Sequence, residues 1–110
     1  MSEWEEQTVQ QEIIKNTGAT LLPESSFGIF REKLAVYLSE LINHRFSGLL
    51  SLLYRLDVSE KKLKQVLAAA PDADAGLVIA DLIIERQLQK IKTREALRNN
   101  DTAIPEDEKW

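Results

Sequence analysis

Apolar residues along this chain recur at spacings of three and four, which predicts a series of helices. Phe27, Phe30, Leu34, Tyr37 and Leu41 form the clearest series, widened by Leu38 and Ile42. It predicts a helix over 26–43, started by Glu24, Ser25 or Ser26 and ended at Asn43-His44-Arg45. Apolar residues continue through Phe46, so one long helix running on to 56 stays open at this point. Leu63, Val66, Leu67 and Ala70 define a helix over 59–70, with Lys61, Lys62, Lys64 and Gln65 on its wet side and Pro71 as its stop. The turn "PDADAG" then leads to the longest helix, over 74–98, capped by Asp72 or Asp74. Leu77, Ala80, Ile84, Leu88 and Ile91 run along one side of it, beside Ile79 and Ile83.

Residues 46–56 have a different pattern. Phe46, Leu49, Leu50, Leu52, Leu53 and Leu56 cover most of the circumference at about 100° per residue, with Tyr54 among them. Ser47, Ser51 and Arg55 leave one thin polar line. A helix apolar nearly all round is an internal one, which predicts that this segment forms the dry centre of a bundle. Leu50, Leu53, Leu56, Leu63, Leu67, Ile84 and Leu88 are the residues expected to be buried.

At the amino terminus, Ser2 followed by Glu5 reads as a capping box for a helix reaching about Asn16, with Gly18 as its stop. Its apolar residues, Trp4, Val9, Ile13 and Ile14, are sparse. The expectation is an arm that docks weakly, swaps onto a neighbouring chain or frays. The predicted fold is therefore all-α: a compact bundle of about four core helices behind an N-terminal amphipathic arm. It divides into an arm and linker (1–25), the bundle (26–98) and an acidic flexible tail (99–110).

Composition narrows the chemistry. The 110 residues are 44% hydrophobic and 29% charged, which suits one folded domain. No cysteine is present, which removes disulfides, thiolate catalysis and cysteine-based zinc sites. "MSEWEEQTVQQE" lacks the apolar core of a secretory signal. "GLVIADLII" and "GLLSLLY" are interrupted far short of the ~20 apolar residues of a membrane helix. The expected location is the cytoplasm. The net charge of −4 conceals acidic ends around a body that carries +3.

The most motif-like stretch is "LLYRLDVSEKKLKQVL", residues 52–67. Tyr54, Arg55, Asp57 and Glu60 could position an anionic substrate, which makes a small enzyme built on Arg55 and nearby carboxylates one reading. Nothing in the spacing demands a water-excluded pocket, however. Capping plus a structural Arg55–Asp57 or Arg55–Glu60 contact explains the same letters: Ser59 as N-cap, or Asp57 in its place, with Glu60 in the first turn and Val58 and Leu63 as a hydrophobic staple.

Arg86, Lys90, Arg94 and Arg98, spaced by four and joined by Lys92, line one edge of the last helix. No acidic residue on that helix sits four positions before any of the four in register, so a partner elsewhere is expected. Nucleic-acid phosphate is one candidate, although no aromatic residue is interleaved among these cations. The acidic ends of the chain and carboxylates on another protein are the others, and a merely solvated face is the reading that needs no partner. His44, the lone histidine, lies near a helix end four residues after Glu40, which could pair with it. A single histidine does not point to a metal, whose sites gather several ligands; a structural or merely exposed role is expected. "DADAG" opens like a calcium loop, but its glycine comes one position early and Ile83 stands where the bidentate glutamate belongs. No catalytic, cofactor or metal residue is assigned.

Two stretches, "LLYRLDVSEKKLKQVL" and "LVIADLIIERQLQKIKTRE", resemble segments of small uncharacterised all-helical bacterial proteins. The resemblance implies a compact helical architecture and carries over no functional residue. Together these readings lead to a non-enzymatic module for protein interaction or self-association, with residues 1–16 as a route to a homo-oligomer. Nucleic-acid binding and a small enzyme are the alternatives.

Overall fold

The computed structural model describes residues 1–18 and 21–99. Five helices follow one another: α1 (Glu3–Asn16), α2 (Phe27–His44), α3 (Phe46–Arg55), α4 (Glu60–Ala69) and α5 (Ala75–Asn99). No strand occurs among the described residues. The fold is all-α, as the periodicity requires. The acidic tail expected from residue 99 onward lies, apart from Asn99 itself, outside the described residues.

Local chemistry sets the helix ends. Ser2 accepts the Glu5 N–H through its side chain, while the Ser2 N–H donates to the Glu5 carboxylate, completing the capping box. Ser26 accepts from Ile29 N–H, Ser59 from Lys62 N–H, and Asp74 from Leu77 N–H. Gly18, at φ +66°, adopts the left-handed conformation that ends α1. The open question at 43–46 resolves into a break. Arg45, at φ −149° and ψ 63°, leaves the helical region, so α2 and α3 are separate.

α5 is the central element. It packs against α1, α2 and α4, whereas α3 packs chiefly on α2. Ile79, Ala80, Leu82, Ile83, Ile84, Gln87 and Ile91 are buried and occupy more than half of the α5 circumference at about 100° per residue. Near its N-terminus α5 approaches α2 so closely that a Cβ on Gly76 would lie 2.3 Å from Ser39 Oγ and 2.5 Å from the Ala35 carbonyl oxygen. That contact fixes the crossing of the two longest helices.

The structure does not bear out 46–56 as the dry centre. Leu49, Leu52, Leu53 and Leu56 are buried, but Phe46, Leu50 and Tyr54 are exposed, Tyr54 by 84%. A ten-residue helix with one main neighbour has too little cover for apolar residues on every side. Of the residues expected inside, Leu53, Leu56, Leu63 and Ile84 are buried, Leu67 and Leu88 are half-buried, and Leu50 is exposed.

α1 docks more firmly than its sparse apolar pattern implies. Val9 and Ile13 are fully buried in the common core. Gln10, also buried, donates from Nε2 to the Glu24 carbonyl and accepts the Glu24 N–H at Oε1. The chain just before α2 is thereby held on α1. Trp4 keeps about half of its surface exposed.

Candidate functional site

The structure places Asp57 at the hinge of the polar cluster. It follows the last turn of α3 at φ +59°, the left-handed position that Asp tolerates better than most residues. Its N–H donates to the Tyr54 carbonyl, and the Val58 N–H donates to the Leu53 carbonyl. These two bonds form a Schellman motif, with Val58 and Leu53 both buried beneath it. Asp57 is thus not the N-cap of α4 but the residue that ends α3. Ser59 takes the N-cap, and Glu60 stands exposed as the first residue of α4. Val58 and Leu63, the two positions of the staple, are buried.

The basic edge of α5 meets this turn. Lys90 Nζ donates to Asp57 Oδ2 at 2.7 Å, and Arg86 Nε donates to the Asp57 carbonyl oxygen at 3.0 Å. Arg86 also donates from Nη1 to the Gln89 side chain. The hydrogen bond from Lys90, reinforced by the charges of Lys90 and Arg86, holds the Asp57 carboxyl below its ordinary range. Further along, Arg94 lies 3.7 Å from Glu12 of α1, and Arg98 pairs with Glu95. Lys92 is exposed and makes no ion pair among the described residues. Four of the five cations in the stripe therefore have partners within the chain.

Beneath the Asp57 turn, a cleft of about 370 Å³ lies between α4 and α5, lined by Asp57, Val58, Ser59, Lys62, Leu82, Glu85, Arg86 and Gln89. Its two acids and two bases balance. Arg55 is not among the lining residues. Its Nη2 donates instead to the Asn16 carbonyl at the end of α1, at 3.0 Å. The set of Arg55 with Asp57 or Glu60 is consequently not assembled: Arg55 ties α3 to α1, Asp57 receives α5, and Glu60 faces solvent.

No group of three or more His, Asp or Glu side chains that could hold a metal occurs among the described residues. His44 is exposed in the last turn of α2, and of the "DADAG" acids Asp74 is the cap of α5 while Asp72 is exposed.

What the sequence reading missed is the outer face of α3. Phe46, Leu50 and Tyr54 stand four apart and form one exposed apolar stripe beside Ser47, Ser51 and Arg55. The polar line was the available signal. Ser47, Ser51 and Arg55 mark the solvent side, and positions 46, 50 and 54 lie next to it on the helical wheel.

No helix among the described residues is long and apolar enough to cross a membrane. Comparison with protein-family models, curated proteins and solved structures finds no match for this chain.

Proposed function

We propose that this chain is a non-enzymatic helical interaction module that binds a protein partner or a second copy of itself through the outer face of α3. The observation that carries the reading is the Phe46–Leu50–Tyr54 stripe, held in solvent on a short, well-anchored helix. Aromatic residues and leucine at four-residue spacing are what a partner helix packs between, and tyrosine and other aromatics are enriched at interface centres. The α5 cations support the same reading by a different route. Engaged with Asp57, Glu12 and Glu95, they are drawn into the chain's own surface rather than left for phosphate. Arg55, engaged with the Asn16 carbonyl, is likewise not paired with Asp57 or Glu60.

The test uses Leu50→Glu, which puts a charge in the centre of the stripe. Sedimentation over a range of concentrations, together with affinity capture, should show self-association or a specific partner for the native chain and neither for the variant. Because Leu50 keeps over a third of its surface in water, the variant's unfolding free energy at low protein concentration should stay within about 1 kcal/mol of the native value. A native chain that is strictly monomeric and recovers no specific partner overturns the proposal.

A further inference from the structure

A second surface, on the outer side of the α2–α5 crossing, has the form of a docking groove with a chemistry of its own. Ala35, Val36 and Leu77 line it with apolar surface, and its volume is about 350 Å³. Val36 is 61% exposed and so is open to a partner. Every charged side chain that lines the groove is a carboxylate: Glu32, Glu40 and Asp74. This differs from the cleft under Asp57, where acids and bases balance. Glu32 and Glu40 make no ion pair among the described residues, although Arg31 and Lys33, on either side of Glu32, are engaged with Asp81 and Glu24.

The groove is also preformed. It sits where Gly76 lets α5 close onto Ala35 and Ser39, with too little room for even a Cβ between the two helices that form its walls. The Asp74 carboxylate is fixed by the Leu77 N–H it caps, at 3.1 Å. An apolar floor with a rim of one sign concentrates the field over the groove and selects for the opposite charge. A rigid site also lowers the ordering cost of binding.

We infer that this groove docks a segment of a partner protein that presents an aliphatic side chain flanked by lysines or arginines. The aliphatic group covers Val36 and Leu77, and the cations pair with Glu32 and Glu40. This is independent of the α3 face and does not need it.

The probe is a fluorescein-labelled peptide of leucines and lysines at amphipathic helical spacing, titrated with the full chain and followed by anisotropy. Two control peptides replace every lysine by glutamate or every leucine by serine. Both controls should bind at least ten-fold more weakly than the parent peptide. The double variant Glu32→Lys/Glu40→Lys and the single variant Val36→Ser should each lower affinity for the parent peptide at least ten-fold. The double variant Glu3→Lys/Glu85→Lys changes net charge equally at exposed sites outside the groove and should stay within two-fold of native. Leu50→Glu, which tests the α3 face, should do the same. The inference is overturned if the parent peptide fails to bind at 100 µM. It is equally overturned if the Glu3/Glu85 variant loses as much affinity as the Glu32/Glu40 variant, or if Val36→Ser binds like the native chain.

Discussion

Asp57 and Lys90 meet at 2.7 Å, so the residue that ends α3 also receives a cation from the middle of the central helix. One aspartate thereby performs two tasks: its backbone turns the chain at φ +59°, and its carboxylate fixes that turn to α5. The two are separable by mutation. Asp57→Asn keeps a side chain that tolerates the left-handed conformation and removes the charge, whereas Asp57→Ala removes the charge and strains the turn. Urea unfolding should rank the native chain above Asp57→Asn and Asp57→Asn above Asp57→Ala. Equal midpoints for the two variants would mean that the turn conformation contributes nothing.

The same pair sets a pH dependence. The Asp57 carboxyl is lowered first by the hydrogen bond from Lys90 and then by the nearby charges, and Glu5 is lowered mainly by the Ser2 backbone N–H. A carboxyl lowered on folding stabilises the native state fully above its unfolded value, about 4, and that contribution disappears as pH falls through the lower folded value. Stability should therefore hold from pH 7 to about 5 and decline below about 4. In Asp57→Asn the decline should be shallower, as measured by urea midpoints between pH 6 and pH 2.5. An unchanged slope would remove Asp57 from the acid response.

Gln10 supplies a prediction about α1. Both of its amide hydrogen bonds close on the backbone of Glu24, at 3.1 and 2.8 Å, in a buried setting. Gln10→Glu preserves the volume but sets a second oxygen against the Glu24 carbonyl. Leaving buried polar groups unmatched should cost about 1–3 kcal/mol in urea unfolding. A loss under about 0.5 kcal/mol would show that burial of Val9 and Ile13 alone seats the helix.

Much of the fold is legible from short-range signals, and what is not depends on distant ones. Ser2 with Glu5, Ser26, Ser59 and Asp74 each act within three residues, so the predicted helix limits agree with the structure to within a residue or so. The partners of the α5 cations are another matter. Lys90 finds Asp57 across 33 positions, a separation that periodicity does not encode. Gln10 scores as a solvent residue in any hydropathy pattern, so the anchoring of α1 was hidden by the side chain responsible for it. The exposure of the α3 stripe is not legible in the same way, because an apolar circumference gives the amount of greasy surface but not how many neighbours cover it.

Gly76 reverses a general rule. In an exposed helix, glycine to alanine usually stabilises by close to 1 kcal/mol. Here a Cβ would stand 2.5 Å from the Ala35 carbonyl oxygen, which belongs to the α2 backbone and cannot rotate away. Ser39 Oγ, at 2.3 Å, can move only by giving up its present rotamer. Gly76→Ala should lower stability by about 1–3 kcal/mol, the usual range for overpacking. A stabilised variant would show that the α2–α5 crossing opens without resistance.

The corrected position of α3 is tested by two leucines three residues apart. Leu53 faces the core at 2% exposure, and Leu50 stands on the outer face at 37%. Truncating Leu53 to alanine removes buried methyl groups and leaves a cavity, which should cost about 2–5 kcal/mol. Truncating Leu50 removes side-chain atoms already partly in water, and its cost should remain below about 1 kcal/mol. If α3 were the dry centre of the bundle, the two losses would be alike, because both residues would be surrounded by neighbours. Guanidinium unfolding of the two variants at low protein concentration separates these cases, since dilution keeps any association through the Phe46–Leu50–Tyr54 stripe from adding to the apparent stability. Equal and large losses would return Leu50 to the interior and remove the surface on which the proposed interaction depends.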